Sequence, residues 1–215
     1  MKTRLATALS VLLHPLLLPT YLVALLCYAF PGGLELPTGL AFRGELVLRV
    51  WGLTFALPGL LVGLLQLRGH ITSVELYERR QRPLPLLIAA LAFGAATLHL
   101  STLPHAGALA HVLLVMTLSA LLTLIITLAW KISAHGMGMG GAIGLFAVLG
   151  LSQRLPPAQA ALWLLGTLLL SGAVAWARLR LKAHSPAQVL AGLALGTGVV
   201  GLLTLYEWPT VAYTP

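Results

Sequence analysis

Apolar runs of about 18 to 25 residues, separated by short polar connectors, recur along the whole chain. A bilayer core roughly 30 Å thick is crossed by about 20 helical residues. Inside it, each backbone N–H and C=O has to be paired within its own segment. The runs therefore read as membrane-spanning α-helices. A transmembrane barrel does not fit, because its strands would alternate with a period of two and these runs are continuous. Charge is scarce, at 8% of 215 residues, and none of it is aspartate.

Seven apolar segments are expected, at about 5–30, 46–67, 84–102, 107–130, 137–152, 158–177 and 187–206. Pro15 and Pro19 should break the first into an interfacial piece and a span, and Pro58 should interrupt the second. The fifth is short and glycine-rich. Met1-Lys2-Thr3-Arg4 imitates the start of a signal peptide, but the apolar run continues to Phe30 without a small-x-small cleavage site, so a first membrane helix is expected. Cys27 is the single cysteine, which leaves no intrachain disulfide framework. No repeat or soluble domain interrupts the pattern. The expected fold is an all-α integral membrane bundle of six core transmembrane helices plus a candidate seventh. It forms one membrane domain over residues 1–215, with its motif-bearing core at about 68–206.

If all seven segments cross, the amino terminus shares a side with the connectors at 68–83, 131–136 and 178–186. That side carries ten cations against three (Arg43, Arg49 and Arg154) on the other. The positive-inside rule places the crowded side in the cytoplasm, and the inner (plasma) membrane of a bacterium is the expected location. The net charge of +8 does not point to nucleic acid, because the cations sit at membrane edges without interleaved aromatic platforms. Anionic headgroups are the simpler partners.

The densest polar cluster runs from Arg178 to Gln188. Ser185, Pro186 and Gln188 have the pattern of an N-cap, first helical position and capping-box partner, for a helix reaching about Tyr206. His184 then stands just outside a helix amino terminus, where unpaired N–H groups and the positive dipole end favour an anion. Arg178 and Arg180 add planar guanidinium forks that match phosphate oxygens. Two further connectors reach the same face: His70 to Pro83, and Lys131-Ile132-Ser133-Ala134-His135-Gly136.

Taken together, Arg82-Pro83, then Ser133-Ala134-His135, then Arg178, His184 and Gln188 resemble the three ordered motifs of the type-2 phosphatidic acid phosphatase superfamily. The spacing from Arg178 to His184 to Gln188 follows the third motif position for position. The resemblance spans roughly residues 75 to 192. It implies that His184 is a nucleophile that becomes phosphorylated and that His135 is general acid and base. Arg82, Ser133 and Arg178 would hold phosphate oxygens, with Lys131 and Arg79 as further candidate substrate-binding cations. Such chemistry needs clustered donors for the equatorial oxygens, an in-line nucleophile and a proton source.

The sequence also departs from the family pattern. Glu75 stands where the first-motif lysine belongs, and Arg79, one turn before Arg82, is the candidate replacement. Ile132 and Ala134 take the places of the second-motif proline and glycine. Gln188 replaces the aspartate that orients and charges the nucleophilic histidine. A glutamine oxygen can fix the imidazole tautomer but stabilises imidazolium less than a carboxylate does.

The expected function is thus a lipid-phosphate phosphatase or phosphotransferase, acting on phosphatidic acid or a polyprenyl phosphate, without metal or other cofactor. The alternative is a weakened relative that binds phosphorylated lipid, or a structural subunit of a membrane assembly or oligomer. A third reading, haem ligation between helices, has only the spacing of His14, His99, His105 and His111 behind it. Gly136, Gly140 and Gly144, with Gly192 and Gly196, read as small-residue helix packing.

Overall fold

The computed structural model describes residues 2–30 and 39–208, and among these the regular structure is entirely helical. The first apolar segment divides as its prolines require. Helix α1 spans Lys2–Leu12 and α2 spans Leu18–Ala29, with Pro15 in the corner between them. α1 lies against the helix at Pro157–Arg180, whereas α2 runs through the bundle, from Leu18 beside Gly138 to Phe30 against Trp163. Next come α3 (Leu40–Trp51) and α4 (Leu57–Leu67), joined by a π-helical turn at Gly52–Ala56. Pro58 follows that turn, and the wider turn accommodates the missing N–H without ending the span.

The remaining helices are α5 (Pro83–Ser101, entered through a 3-10 turn at Arg79–Gln81), α6 (Gly107–Ala129), α7 (Ala134–Leu151), α8 (Pro157–Arg180) and α9 (Pro186–Glu207). Among the described residues, six helices are long and apolar enough to cross a membrane: the joined α3–α4 unit and α5 to α9. Large side chains such as Leu162, Leu165 and Leu169 stand exposed along α8, an outer surface suited to hydrocarbon. The chain is an integral membrane helical bundle. The remaining apolar segment, the first in the chain, is the broken α1–α2 pair, and α2, at 12 residues, reaches only about 18 Å.

α7 and α9 run parallel and are the most closely packed pair. A Cβ added to Gly192 would come within 2.6 Å of the Ser133 carbonyl oxygen, and one at Gly136 within 2.7 Å of the Val189 carbonyl oxygen. Gly140, Gly144 and Gly196 meet the partner backbone in the same way. The small-residue series is therefore the seam between these helices, which lets their backbones touch. Thr197 stitches it with a 3.1 Å hydrogen bond to the Gly140 carbonyl. Because the helices are parallel, both amino termini, one next to His135 and the other next to His184, emerge at the same end.

Candidate phosphate site

That end of the bundle gathers the connectors after α4, α6 and α8 and the α1–α2 corner. Ser133 caps α7 by accepting from the Gly136 N–H at 3.1 Å, and the Ser133 N–H donates to the Gln188 carbonyl at 3.2 Å. Ser185 caps α9, and with Gln188 it completes the capping box expected from the sequence. Two helix starts, each with unpaired N–H groups, are thereby locked side by side.

Arg82 is the hub. Pro83 and Pro85 open α5 and fix the chain direction at this buried arginine. Its Nε donates to the Leu76 carbonyl at 2.8 Å and its Nη1 to the Ile132 carbonyl at 3.2 Å. Its Nη2 faces His184 Nε2 at 3.3 Å. Leu76 adopts a left-handed φ of +52° and Lys182 one of +51°, both costly for residues with a Cβ. These two strained turns flank the histidine and its guanidinium, and the site is where such strain usually collects.

The tautomer of His184 follows from its partners. The Gln188 amide oxygen can only accept, so the Nδ1 that meets it at 3.1 Å carries the proton. Nε2 then presents a lone pair towards the Arg82 N–H. Burial, followed by the charges of Arg82 and Arg178, pushes the His184 imidazole down to about 3. The ring is neutral, and its bare nitrogen sits beside a cation.

Arg178, in the last turn of α8, is 7% exposed. Its Nε is buried without an acceptor, and among the described residues no carboxylate lies within 4 Å of its guanidinium. A buried cation left in this way is costly unless an anion joins it. His135, on the first turn of α7, directs Nε2 to the Ser10 carbonyl of α1 at 2.9 Å. A carbonyl accepts, so Nε2 carries the proton and Nδ1 is free.

A cavity of about 500 Å³ joins these groups. Its polar end is lined by Arg82, Arg178, His135 and His184, and it continues between the helices to Phe93, Val112, Met116, Leu145 and Val200. From His135 to Leu145, α7 rises about 15 Å, half the thickness of a bilayer core. The polar end suits an anion and the apolar depth suits a hydrocarbon chain.

The sequence-derived residues divide on this geometry. Arg82, Arg178, His135 and His184 share the cavity, and Gln188 orients His184. Ser133 is fully buried as a helix cap and is not among the residues lining the cavity. Lys131 also stands outside the lining; burial and then Arg82 and Arg178 lower its basicity. Arg79 is used elsewhere, because its Nη1 donates to the Thr127 and Leu128 carbonyls at the carboxyl end of α6. There it caps a helix terminus and answers its dipole. Glu75, the sign-reversed position, does line the cavity.

Sequence reasoning did not place Ser10, His14 or Tyr77 here, yet all three line the cavity. The signal was available for His14, since a proline directly after a histidine in an apolar run turns the chain where that side chain sits. Of the histidines behind the haem reading, His14 lies at the site, while two are engaged at the opposite end: His99 lies 2.8 Å from Arg49, and His111 packs against Trp208. No protein-family model, curated protein or solved structure matches the chain.

Proposed function

We propose that the protein is a membrane phosphotransferase or phosphatase that handles the phosphate ester of a lipid through a phosphohistidine at His184. What carries the reading is a neutral imidazole whose bare Nε2 stands against Arg82, in a cavity that also holds the buried Arg178, whose Nε has no acceptor among the described residues. The resemblance to type-2 phosphatidic acid phosphatases supports the same roles.

In the first step, His184 Nε2 attacks phosphorus and the bond from phosphorus to the lipid oxygen breaks. Arg82 and Arg178 balance charge on the equatorial oxygens. The departing oxygen takes a proton from Nδ1 of His135, which first receives it from the monoanionic phosphate ester, the Ser10 carbonyl holding the Nε2 proton throughout. In the second step, the now neutral His135 removes a proton from water. That water attacks phosphorus and the bond to His184 breaks, giving inorganic phosphate; an alcohol in place of water gives transfer. The apolar depth of the cavity favours a lipid such as phosphatidic acid or a polyprenyl phosphate over a soluble ester. The charge asymmetry between the two ends favours a cytoplasmic orientation for this site, in a bacterial inner membrane.

A second reading keeps the binding and drops the turnover. It is favoured by Gln188, which offers His184 an amide where a carboxylate would stabilise the developing imidazolium. Phosphate release from a panel of lipid phosphates, measured in chelator with intact protein and with His184→Ala, separates the two. Turnover lost by at least 10³-fold in the variant supports the enzyme. Binding without release in the intact protein supports the second reading.

A further inference from the structure

Helix α1 and its corner do more than cover the cavity. The corner is built by Pro15, and within it the Leu16 N–H donates to His14 Nδ1 at 3.2 Å. That contact occupies the lone pair of Nδ1, so the ring proton of His14 is on Nε2. His14 packs edge-on against His135, with centroids 5.5 Å apart and planes at 81°. It lines the same cavity as Arg178 and His184, and its Nε2–H has no acceptor among the described residues. Arg178 Nε is a second donor without an acceptor. The buried Arg178 Nε calls for an oxygen acceptor, because a polar group out of water is expensive to leave unpaired, and the half-buried His14 ring lines the same cavity with a donor to spare.

We infer that His14 is a binding residue of this site, a fixed neutral donor that gives its Nε2–H to an oxygen of the bound phosphate from the α1 side. The inference rests on the reading of the cavity as a phosphate-ester site, but not on that site turning over. Arg82 and Arg178 grip the anion with charge. His14 adds direction, since its ring is clamped by Leu16 on one edge and by His135 on its flank. It is not an acid in this state: Nδ1 is engaged, so the ring cannot take a second proton without breaking the corner. Burial and then the charge of Arg178 hold its pKa at about 4, in keeping with a neutral donor. The α1–α2 corner thereby becomes part of the site, supplying this donor together with the Ser10 carbonyl that orients His135.

The test uses the full-length protein in detergent, with inorganic phosphate and dodecyl phosphate as separate probes read by thermal stabilisation. His14→Gln keeps an N–H near the position of Nε2, whereas His14→Phe keeps a ring and removes the donor. A hydrogen bond to a charged group sets the expected loss in His14→Phe at about tenfold or more in phosphate affinity, with His14→Gln within about threefold of the parent. The ligand is a lipid headgroup if dodecyl phosphate binds at least tenfold more tightly than inorganic phosphate, and a free anion if the two are equal. Equal affinity of parent and His14→Phe overturns the inference. So does an equal loss in both variants, which marks a purely structural role, and so does failure of the parent to bind either probe. If the parent binds both probes and releases no phosphate, the enzymatic reading falls while the role of His14 stands.

Discussion

Arg82 Nη2 lies 3.3 Å from His184 Nε2, across 102 residues of sequence, and the His184 atom it faces is the one without a proton. A cation held against a lone pair keeps the imidazole neutral and, under the proposed function, would supply the first oxygen contact for an incoming phosphate. Arg82→Lys should therefore be far from conservative. A lysine cannot donate to Leu76, Ile132 and the cavity in one plane, as the guanidinium does. Phosphate affinity should fall at least tenfold in that variant, read by the same thermal stabilisation, and turnover should fall further.

Gln188 offers the most direct test of catalysis. Its Oε1 accepts both the Ser185 N–H at 3.2 Å and the His184 Nδ1–H at 3.1 Å, so cap and tautomer depend on one atom. Glutamate is the isostere that keeps this atom in place, whereas aspartate is a methylene shorter and would loosen the cap. Gln188→Glu should raise phosphate release by roughly tenfold to 10³-fold. The reference is the loss of about 10⁴ that the converse change, carboxylate to amide, produces in a serine-protease triad. An unchanged rate, with the variant's thermal stability preserved, would remove the weakened-dyad account.

Much of the scaffold was legible because hydrocarbon permits few structures. Uninterrupted apolar runs force helices, Pro15 forces a break, and glycines four residues apart on α7 and α9 mark a close seam. The capping box at Ser185 and Gln188 could be read residue by residue for the same reason, since it is local. The partners of long side chains could not. Arg79 and Arg82 are one turn apart and chemically identical, yet one caps α6 and the other faces His184; tertiary packing alone decides between them. Ser133 has the residue type of a phosphate ligand, but its hydroxyl is committed to the Gly136 N–H. His14 was hidden because its tautomer is set by a turn whose geometry periodicity does not describe.

The contrast between the two arginines yields a separable pair of outcomes. Arg79→Gln should lower stability by about 1 kcal/mol, by freeing two helix-terminal carbonyls, and leave phosphate affinity within a factor of two. Arg178→Met should do the reverse. Removing a buried charge whose Nε lacks an acceptor among the described residues should raise the thermal midpoint of the ligand-free protein, while phosphate affinity drops at least thirtyfold. Melting curves with and without phosphate read both variants, and an Arg178→Met protein that melts lower and binds normally would contradict the role of this guanidinium.

The α7–α9 seam should couple stability to the site. Gly140→Ala places a methyl against the Leu193 backbone, which has no flexible end to swing aside. A loss of about 1–3 kcal/mol is expected, together with weaker phosphate binding, because the two helix starts would be wedged apart. Gly166→Ala on α8 meets nothing within 4 Å and should be neutral or stabilising by about 0.5–1 kcal/mol. Paired melting curves distinguish the seam from a general intolerance of alanine.

Acid should act on the fold through His184. Its folded pKa is about 3, and an unfolded imidazole titrates near 6.5. Between these values the unfolded chain binds a proton that the folded chain refuses, so stability falls as pH drops below 6.5 and the loss is complete near pH 3. The acid limb of any turnover profile above pH 4 must then come from another group, since His184 is still a free base there. Phosphate should lift the pKa of His184, because it neutralises the Arg82 and Arg178 charges that help to depress it, and the acid sensitivity of the complex should be correspondingly smaller. Melting curves from pH 7 to 4, with and without phosphate, measure both slopes. His184→Asn should reduce the ligand-free slope to the part that His14, held at about 4, contributes over the same window, and an unaltered slope in that variant would show that His184 takes up no proton.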